Sequence, residues 1–319
     1  MKNLIILIPA YNEEKTIKNV IKSIPKNFAG IEKTSIVVVN DGSTDNTEKF
    51  ASEEGAIVVS HRKNKQLGKT FRTGLNKALE LKADIMVTID ADGQFNTNEI
   101  EKLIKPILEN KADFVTGSRF IDNKYLPKNM PWIKKWGNHR IANIISFATG
   151  KKFKDITCGF RAYSKEAMLR LNLFGTFTYT QETFLDLAYK DLDILEIPVS
   201  VEYFEGRKSK VASSIVKYGI NSANIIFRAI KDYRPLKFFG LIGILFFSTG
   251  ILFDLFVFIH YLNTSMFSPY KIFGLIGLSL NTIGIFIFFV GMLADLIDKV
   301  RLTQEKVLYL ENKKHYYNE

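Results

Sequence analysis

The sequence predicts an α/β fold: a mostly parallel sheet with helices on both faces, followed by a hairpin of two membrane-spanning helices. Three observations carry that expectation. Short, continuous apolar runs alternate with helical stretches from residue 4 to about residue 117. Continuous apolar runs mark strands buried on both faces, and strict strand–helix alternation marks a parallel sheet. Three of those runs end in polar clusters, the edge where such sheets bind ligands. Finally, residues 238–262 and 271–294 consist largely of Phe, Ile, Leu and Gly, and each is long enough to cross a bilayer, which takes about 20 apolar residues.

The elements follow in order. The first run, residues 4–8, stops at Pro9-Ala10-Tyr11-Asn12-Glu13-Glu14. A helix follows, with Ile17, Val20, Ile21 and Ile24 at helical spacing and Pro25 as its stop. The second run, 35–39, ends in Asn40-Asp41-Gly42-Ser43-Thr44-Asp45, and a helix reaches Phe50. The third covers 56–59. A basic loop over 61–69 leads into a helix over about 70–81. The fourth run ends in Asp90-Ala91-Asp92-Gly93-Gln94; a helix over 98–109 and a strand over 113–117 complete the series. The expected boundaries are an α/β domain over 1–212, a juxtamembrane amphipathic helix over 213–235, the hairpin over 236–296 and a tail over 297–319.

Composition narrows the partners. The 319 residues carry 44 Lys and Arg against 33 Asp and Glu, a net charge of +11. Such an excess favours a polyanionic partner: a phosphorylated ligand, anionic lipid or nucleic acid. One cysteine, Cys158, excludes an internal disulfide and fits a reducing compartment. Residues 4–8 are too short for a secretory signal, and charged residues follow at once.

The cluster at Asp90 and Asp92 supplies hard oxygen ligands for Mg²⁺ or Mn²⁺, cations that bridge carboxylates to diphosphate oxygens. Alone, two such carboxylates are a weak signal, since most are solvated turn residues. Three polar clusters converging on one sheet edge raise it to a nucleotide site. Two other nucleotide loops are excluded. Gly68-Lys69-Thr70 looks like the end of a Walker A loop, but Lys63 stands where that loop needs glycine. No G-x-G-x-x-G follows a strand.

Over residues 3–212 the chain resembles the family 2 glycosyltransferases of GT-A fold. The resemblance rests on Pro9-Ala10-Tyr11-Asn12-Glu13, on Asn40-Asp41-Gly42-Ser43-Thr44-Asp45-Asn46-Thr47, on Asp90-Ala91-Asp92 and on Thr157-Cys158-Gly159-Phe160-Arg161-Ala162. More narrowly, Asp92-Gly93-Gln94, Thr116-Gly117-Ser118-Arg119 and Gly206-Arg207-Lys208-Ser209-Lys210 resemble the polyprenyl-phosphate glycosyltransferases, the dolichyl-phosphate mannose synthase group. The resemblance implies that Pro9, Ala10, Tyr11, Asn12, Glu13, Val39 and Asp41 hold base and ribose. It implies that Asp90 and Ala91 contact the nucleotide sugar, and that Asp92 and Gln94, with Asp90 as a further candidate, ligate the metal. Arg119 faces the sugar or the acceptor phosphate. Arg207 and Lys210 close over the diphosphate, and Glu182 lies near the sugar, beside Gln181 at the start of a helix over 183–190. The family binds the lipid phosphate through an arginine and a serine. Lys135 and His139 stand at those positions here, so Lys134, Lys135, His139 and Arg140 are all candidates.

The membrane signals are independent of that resemblance. Residues 132–149 form a basic helix with apolar positions at Ile133, Trp136, Ile141, Ile144, Ile145 and Ala148, suited to a membrane interface. A helix docked on the sheet explains the same pattern. A second amphipathic helix is expected over 213–232, with Val216, Ile220, Ala223, Phe227 and Ile230 in one stripe. Lys and Arg flank the hairpin at Arg234, Lys237, Lys299, Arg301 and Lys306, while the turn over 263–269 has none. The positive-inside rule then puts the catalytic domain and both termini in the cytoplasm. Asp254 sits inside the first span, where a charge costs about 2.5–3.5 kcal/mol on insertion scales. Protonation, pairing within a homo-oligomer, or a place near the far interface would each accommodate it.

The expected reaction is hexose transfer from a nucleotide diphosphate sugar, preferably a UDP-sugar, to a polyprenyl or dolichyl phosphate, with inversion and a divalent metal. GDP-mannose is the alternative donor. Nucleic acid is not an expected partner. Three rivals are a polysaccharide synthase, which carries a Gln-x-x-Arg-Trp motif that neither Trp132 nor Trp136 completes, a nucleotidyltransferase, which needs a Gly-rich basic loop where Pro9-Ala10-Tyr11-Asn12-Glu13 stands, and a non-enzymatic nucleotide-binding scaffold. Metal-dependent turnover separates the scaffold from an enzyme.

Overall fold

The computed structural model describes residues 2–127, 130, 132–173, 179–203, 227, 231 and 235–318. It falls into two compact units: Met1–Ile226 with Leu308–Glu319, and Phe227–Val307.

The first unit is built on seven strands: β1 (Lys2–Ala10), β2 (Ile31–Asn40), β3 (Ile57–Ser60), β4 (Ile85–Thr88), β5 (Phe114–Ser118), β6 (Arg161–Ser164) and β7 (Ile194–Pro198). Their order is β3-β2-β1-β4-β6-β5-β7. The β1–β2, β1–β4, β2–β3 and β5–β7 pairs are parallel, and β6 runs antiparallel between β4 and β5. Leu4, Ile6, Leu7 and Ile8 of β1 are wholly buried, as their continuous apolar run predicts for a central strand covered on both faces. The chain steps from β1 out to β2 and β3, then returns to β4 on the other side of β1. Strand order therefore reverses between β1 and β4, and the carboxyl ends of β2, β1 and β4 lie side by side there.

The helices of this unit are α1 (Ile17–Ser23), α2 (Thr47–Glu53), α3 (Leu67–Glu80), α4 (Ile100–Leu108), α5 (Trp132–Thr149), α6 (Lys165–Arg170) and α7 (Thr180–Tyr189). Helix α3 starts three residues before its expected position. Gln66 turns the chain at φ +72°, and its carbonyl accepts from the Lys69 and Thr70 N–H groups. A 3-10 turn over Thr97–Glu99 precedes α4, capped by the Asn96 side chain accepting from the Asn98 N–H. Leu308–Glu319, expected as tail, belongs to this unit. Tyr309 Oη donates to Glu166 at 2.9 Å, Tyr317 Oη donates to the Ala83 carbonyl, and Lys165 Nζ stands 3.9 Å from the centre of the Tyr317 ring.

Two further helices, α8 (Pro235–Thr264) and α9 (Lys271–Tyr317), are long and apolar enough to cross a membrane. Both cover the expected spans, and α9 continues through the expected tail. In the second unit they approach at glycines spaced by seven: Gly243 and Gly250 against Gly277 and Gly284. A Cβ on Gly243 would stand 2.8 Å from the Gly284 carbonyl, and one on Gly250 2.7 Å from that of Gly277. Small residues are what let membrane helices close to this distance. Asp254 has its partner inside the same hairpin, where Asn281 Nδ2 donates to its carboxylate at 2.6 Å. The helix expected over 213–232 lies outside the described residues apart from Phe227 and Lys231.

Candidate active site

The three polar clusters meet at the strand-order reversal. Pro9 and Ala10 close β1, and Asn12 takes the left-handed conformation at φ +53°, which asparagine tolerates better than most residues. The Asn12 N–H donates to Ser43 Oγ at 2.9 Å, and Asn12 Oδ1 accepts from the Thr44 N–H at 2.9 Å. The Glu13 N–H donates to Thr47 Oγ1 at 2.8 Å. The loops after β1 and β2 are thus stitched into one surface, with Tyr11 and Glu13 half-buried in it.

Asp41 is buried beneath that surface. Its Oδ1 accepts from His61 Nδ1 at 2.7 Å and from the Lys65 N–H at 2.8 Å. Thr73 Oγ1 lies 2.9 Å from His61 Nε2, which fits an Nδ1–H tautomer that donates to the carboxylate. The basic loop over 61–66 therefore folds back onto Gly42. There φ is +72°, and a Cβ would lie 2.5 Å from the Lys63 backbone, so only glycine fits. Val39 is wholly buried in β2, two residues before Asp41.

The loop after β4 carries Asp90, Ala91, Asp92, Gly93 and Gln94. The Gln94 N–H donates to Asp92 Oδ1 at 3.0 Å, and the Glu202 N–H donates to the Gln94 carbonyl at 2.9 Å. Phe95 rests on Phe160 with ring centres 5.1 Å apart. Burial and the neighbouring Asp92 carboxylate push the Asp90 carboxyl up to about 7, against the opposing pull of Arg161 and Arg119. Two carboxylates crowded this way are what a divalent cation relieves. Among the described residues no three His, Cys, Asp or Glu side chains enclose a metal. Two carboxylates and an amide oxygen on one loop instead suit Mg²⁺ or Mn²⁺, which take their other ligands from water and phosphate.

Two supports of Asp90 lie in the recognised motif Thr157-Cys158-Gly159-Phe160-Arg161-Ala162, which gave them no role of their own. Gly159 lies against its carboxylate, where a Cβ would stand 3.0 Å from both oxygens. Its carbonyl accepts from Thr88 Oγ1 at 2.8 Å. Arg161 is wholly buried on β6, donating to the carbonyls of Cys158, Thr180 and Ile156 at 2.8, 2.9 and 2.8 Å, among the rings of Phe114, Tyr179 and Phe184. An arginine inside an otherwise apolar stretch was the available signal. Replacing Gly159 with alanine would push the Asp90 carboxylate by a few tenths of an ångström. The expected result, read by steady-state kinetics, is a roughly tenfold fall in kcat, as small misplacements cost this much at a reacting centre.

Arg119, expected to face the sugar or the acceptor phosphate, is held by a set of side chains around it. Nε and Nη2 grip Asp155 at 2.7 and 2.8 Å, Nη2 also donates to Thr157 Oγ1 at 2.7 Å, and Nη1 donates to Tyr203 Oη at 2.7 Å. Its charge is thereby matched by a buried carboxylate. Glu182 is half-buried in the first turn of α7; Tyr179, just before that turn, donates to the Gly159 carbonyl at 3.4 Å.

Helix α5 docks on the domain through Asn138, Ala142 and Ile145, while Trp132, Trp136, Ile144 and Phe147 are exposed. The expected apolar stripe is therefore divided: Ile145 faces the core, and Trp136 and Ile144 face outward. Lys135, His139 and Arg140 are exposed beside the outward aromatics; Arg140 lies 5.5 Å from the Trp136 ring, and His139 lies 5.1 Å from that of Phe120. The surroundings of the Lys134 side chain, and Arg207 and Lys210 altogether, lie outside the described part.

A GT-A fold with this site defines a glycosyltransferase. The chain belongs to glycosyl transferase family 2, whose profile matches residues 5–171. It is 34% identical over 242 residues to UDP-N-acetylglucosamine--dolichyl-phosphate N-acetylglucosaminyltransferase of Methanococcus voltae, covering 69% of this chain and 93% of that one. It is 27% identical to polyprenol monophosphomannose synthase of Mycolicibacterium smegmatis, covering 67% of this chain and 82% of the other. Among solved structures, glucosyl-3-phosphoglycerate synthase from Mycobacterium tuberculosis in complex with UDP superposes with a TM-score of 0.58 at 20% identity, covering 72% of this chain and 80% of that one, a likeness of fold.

Proposed function

We propose that the chain transfers a hexose from a nucleotide diphosphate sugar to the phosphate of a polyprenol at the cytoplasmic face of a membrane. The observation that carries this reading is the Asp90, Asp92 and Gln94 loop at the strand-order reversal, in a chain with two helices of spanning length. The Methanococcus voltae relative, named for UDP-N-acetylglucosamine and dolichyl phosphate, supports a UDP-sugar as donor. GDP-mannose is the second reading, favoured by the mannose-named relatives of Mycolicibacterium smegmatis and Micrococcus luteus.

In this reading the surface around Pro9, Tyr11, Glu13 and Asp41 takes the base and ribose. Asp92 and Gln94, with Asp90, would hold Mg²⁺ or Mn²⁺, which when bound supplies positive charge for the leaving diphosphate. Arg207 and Lys210 add positive charge at the diphosphate. Lys134, Lys135, His139 and Arg140 on α5 orient the acceptor. A phosphate oxygen of the polyprenyl phosphate attacks the anomeric carbon. The bond from that carbon to the diphosphate breaks, and its electron pair leaves on the nucleotide. The acceptor is already ionised near neutral pH, so positioning and charge stabilisation carry the rate and no strong base is needed. Single displacement inverts the anomeric centre. The basic residues flanking the hairpin support the cytoplasmic orientation, and Trp132, Trp136 and Phe147 suit α5 to the interface.

The pH dependence follows from Asp90, whose carboxyl sits at about 7. Protons compete with the metal below that value, so Mn²⁺-dependent nucleotide binding should tighten as pH rises from 5.5 towards 7 and level off above it; the slope follows single-proton competition, up to about tenfold per unit. Calorimetry of UDP binding across that range, with Mn²⁺ present, checks it. The donor is read from thermal shifts with UDP-glucose, UDP-N-acetylglucosamine and GDP-mannose. Stabilisation by UDP-sugars over GDP-mannose is expected, and the reverse order selects the second reading.

A further inference from the structure

Asn138 is buried on α5 and is none of the residues that touch donor or acceptor in the reaction above. Its Nδ2 donates to the Lys154 carbonyl at 2.7 Å. Its Oδ1 accepts from the Ile156 N–H at 3.2 Å and from Thr157 Oγ1 at 3.1 Å. The same Thr157 hydroxyl accepts from Arg119 Nη2 at 2.7 Å and stands 3.3 Å from Asp155 Oδ1. A hydroxyl has one proton to give, so it donates either to Asn138 or to Asp155. Arg161 braces the following turn through the carbonyls of Ile156 and Cys158, and Gly159 then meets both oxygens of Asp90. Residues 154–161 are thus fastened at one end to α5, while the other end is the seat on which Asp90 rests.

We propose that Asn138 is a positioning residue that couples nucleotide occupancy at Asp90 to the setting of α5, with the Thr157 hydroxyl as the two-position element. The inference rests on the reading that the Asp90 edge takes a nucleotide diphosphate. A displacement of the Asp90 carboxylate towards Gly159 on binding presses on that residue. That backbone is continuous with Thr157, whose proton then redistributes between Asp155 and Asn138. A hydrogen-bonded side chain with two discrete partners is the kind of element that carries coupling between sites. Occupied donor and positioned acceptor helix thereby become linked states.

The chain's two tryptophans, Trp132 and Trp136, both lie on α5, so intrinsic fluorescence reads that helix without a label. In the full chain in detergent, UDP or GDP with Mn²⁺ should change that fluorescence. The Asn138→Leu chain should bind nucleotide within about threefold of wild type by calorimetry yet lose the fluorescence response, and its kcat for transfer should fall about tenfold with donor KM little changed. Thr157→Val should do the same, and Thr157→Ser should retain the response. A wild type that binds nucleotide with silent tryptophans overturns the coupling, as do Asn138→Leu and Thr157→Val chains that respond like wild type. Parallel loss of nucleotide binding and response in both variants shows a merely structural role and also overturns it. If neither UDP nor GDP binds the wild type, the donor-site reading fails first and the coupling falls with it; that result is distinct because binding itself is measured.

Discussion

Replacing Asp92 with alanine should lower sugar transfer about 10²–10³-fold, the scale on which one preorganised charge-stabilising contact counts. Asp92 stands beyond the end of β4, outside the sheet ladder, and is half-buried rather than sealed in the core. The fold should therefore survive the change, with circular dichroism and thermal midpoint close to wild type. What disappears is one of the two carboxylates that make the loop attractive to Mg²⁺ or Mn²⁺. Nucleotide binding should then lose its dependence on added Mn²⁺. Removing Asp92 also takes away a charge that pushes the Asp90 carboxyl up, so Asp90 should titrate lower in the variant. Undiminished transfer by Asp92→Ala would remove the metal from the account of the reaction.

The second large effect concerns stability. Asp155 is wholly buried and receives both side-chain forks of Arg119, the Arg119 N–H at 3.0 Å and the Thr157 N–H at 3.2 Å. Burial alone would push its carboxyl up. The Arg119 guanidinium and these hydrogen bonds outweigh burial and hold it below the ordinary carboxylate range. Replacing Asp155 with alanine leaves a buried cation without its counter-charge, a change that costs about 3–5 kcal/mol. In a domain of this size that lowers the thermal midpoint by roughly 10 °C. The double variant Asp155→Ala with Arg119→Met should recover part of the loss, because the penalty comes chiefly from the orphaned charge. The pH dependence has a fixed sign. Since the folded carboxyl is depressed, its contribution is present above the unfolded value and is lost as pH falls through the folded one. A midpoint shift of only a degree or two for the single variant would show that the pair is not a support of the site.

These two expectations differ in how they could be found. Asp92 was legible because a strand that ends in closely spaced carboxylates needs only local pattern to recognise. The same holds for β1 to β4, which carry continuous apolar runs, for β5, which follows in the strand–helix alternation, and for the spans α8 and α9. Strands β6 and β7 were not legible. Arg161 opens β6 and Glu196 lies within β7, so neither reads as apolar, and β6 has four residues. Arg119 was legible as a residue but not in its engagement, because Asp155 lies 36 positions away and nothing local links them. Gly159 was part of a recognised motif, yet its reason, contact with Asp90 across the sheet, is tertiary. On α5 the periodicity gave a helix over the right residues, but several apolar positions face outward and a polar one, Asn138, faces in. Helical spacing cannot by itself show which face docks when both carry apolar residues.

The central claim is that a metal-dependent nucleotide-sugar site delivers its sugar to a lipid phosphate. It is tested most directly by incubating the full purified chain with Mn²⁺, a polyprenyl phosphate and, in turn, labelled UDP-glucose, UDP-N-acetylglucosamine and GDP-mannose, then extracting lipid. Label in the lipid phase is predicted with one donor, dependent on the polyprenyl phosphate and abolished by chelation of the metal. Absence of lipid-linked label with all three donors, in a preparation that binds UDP or GDP, would contradict it.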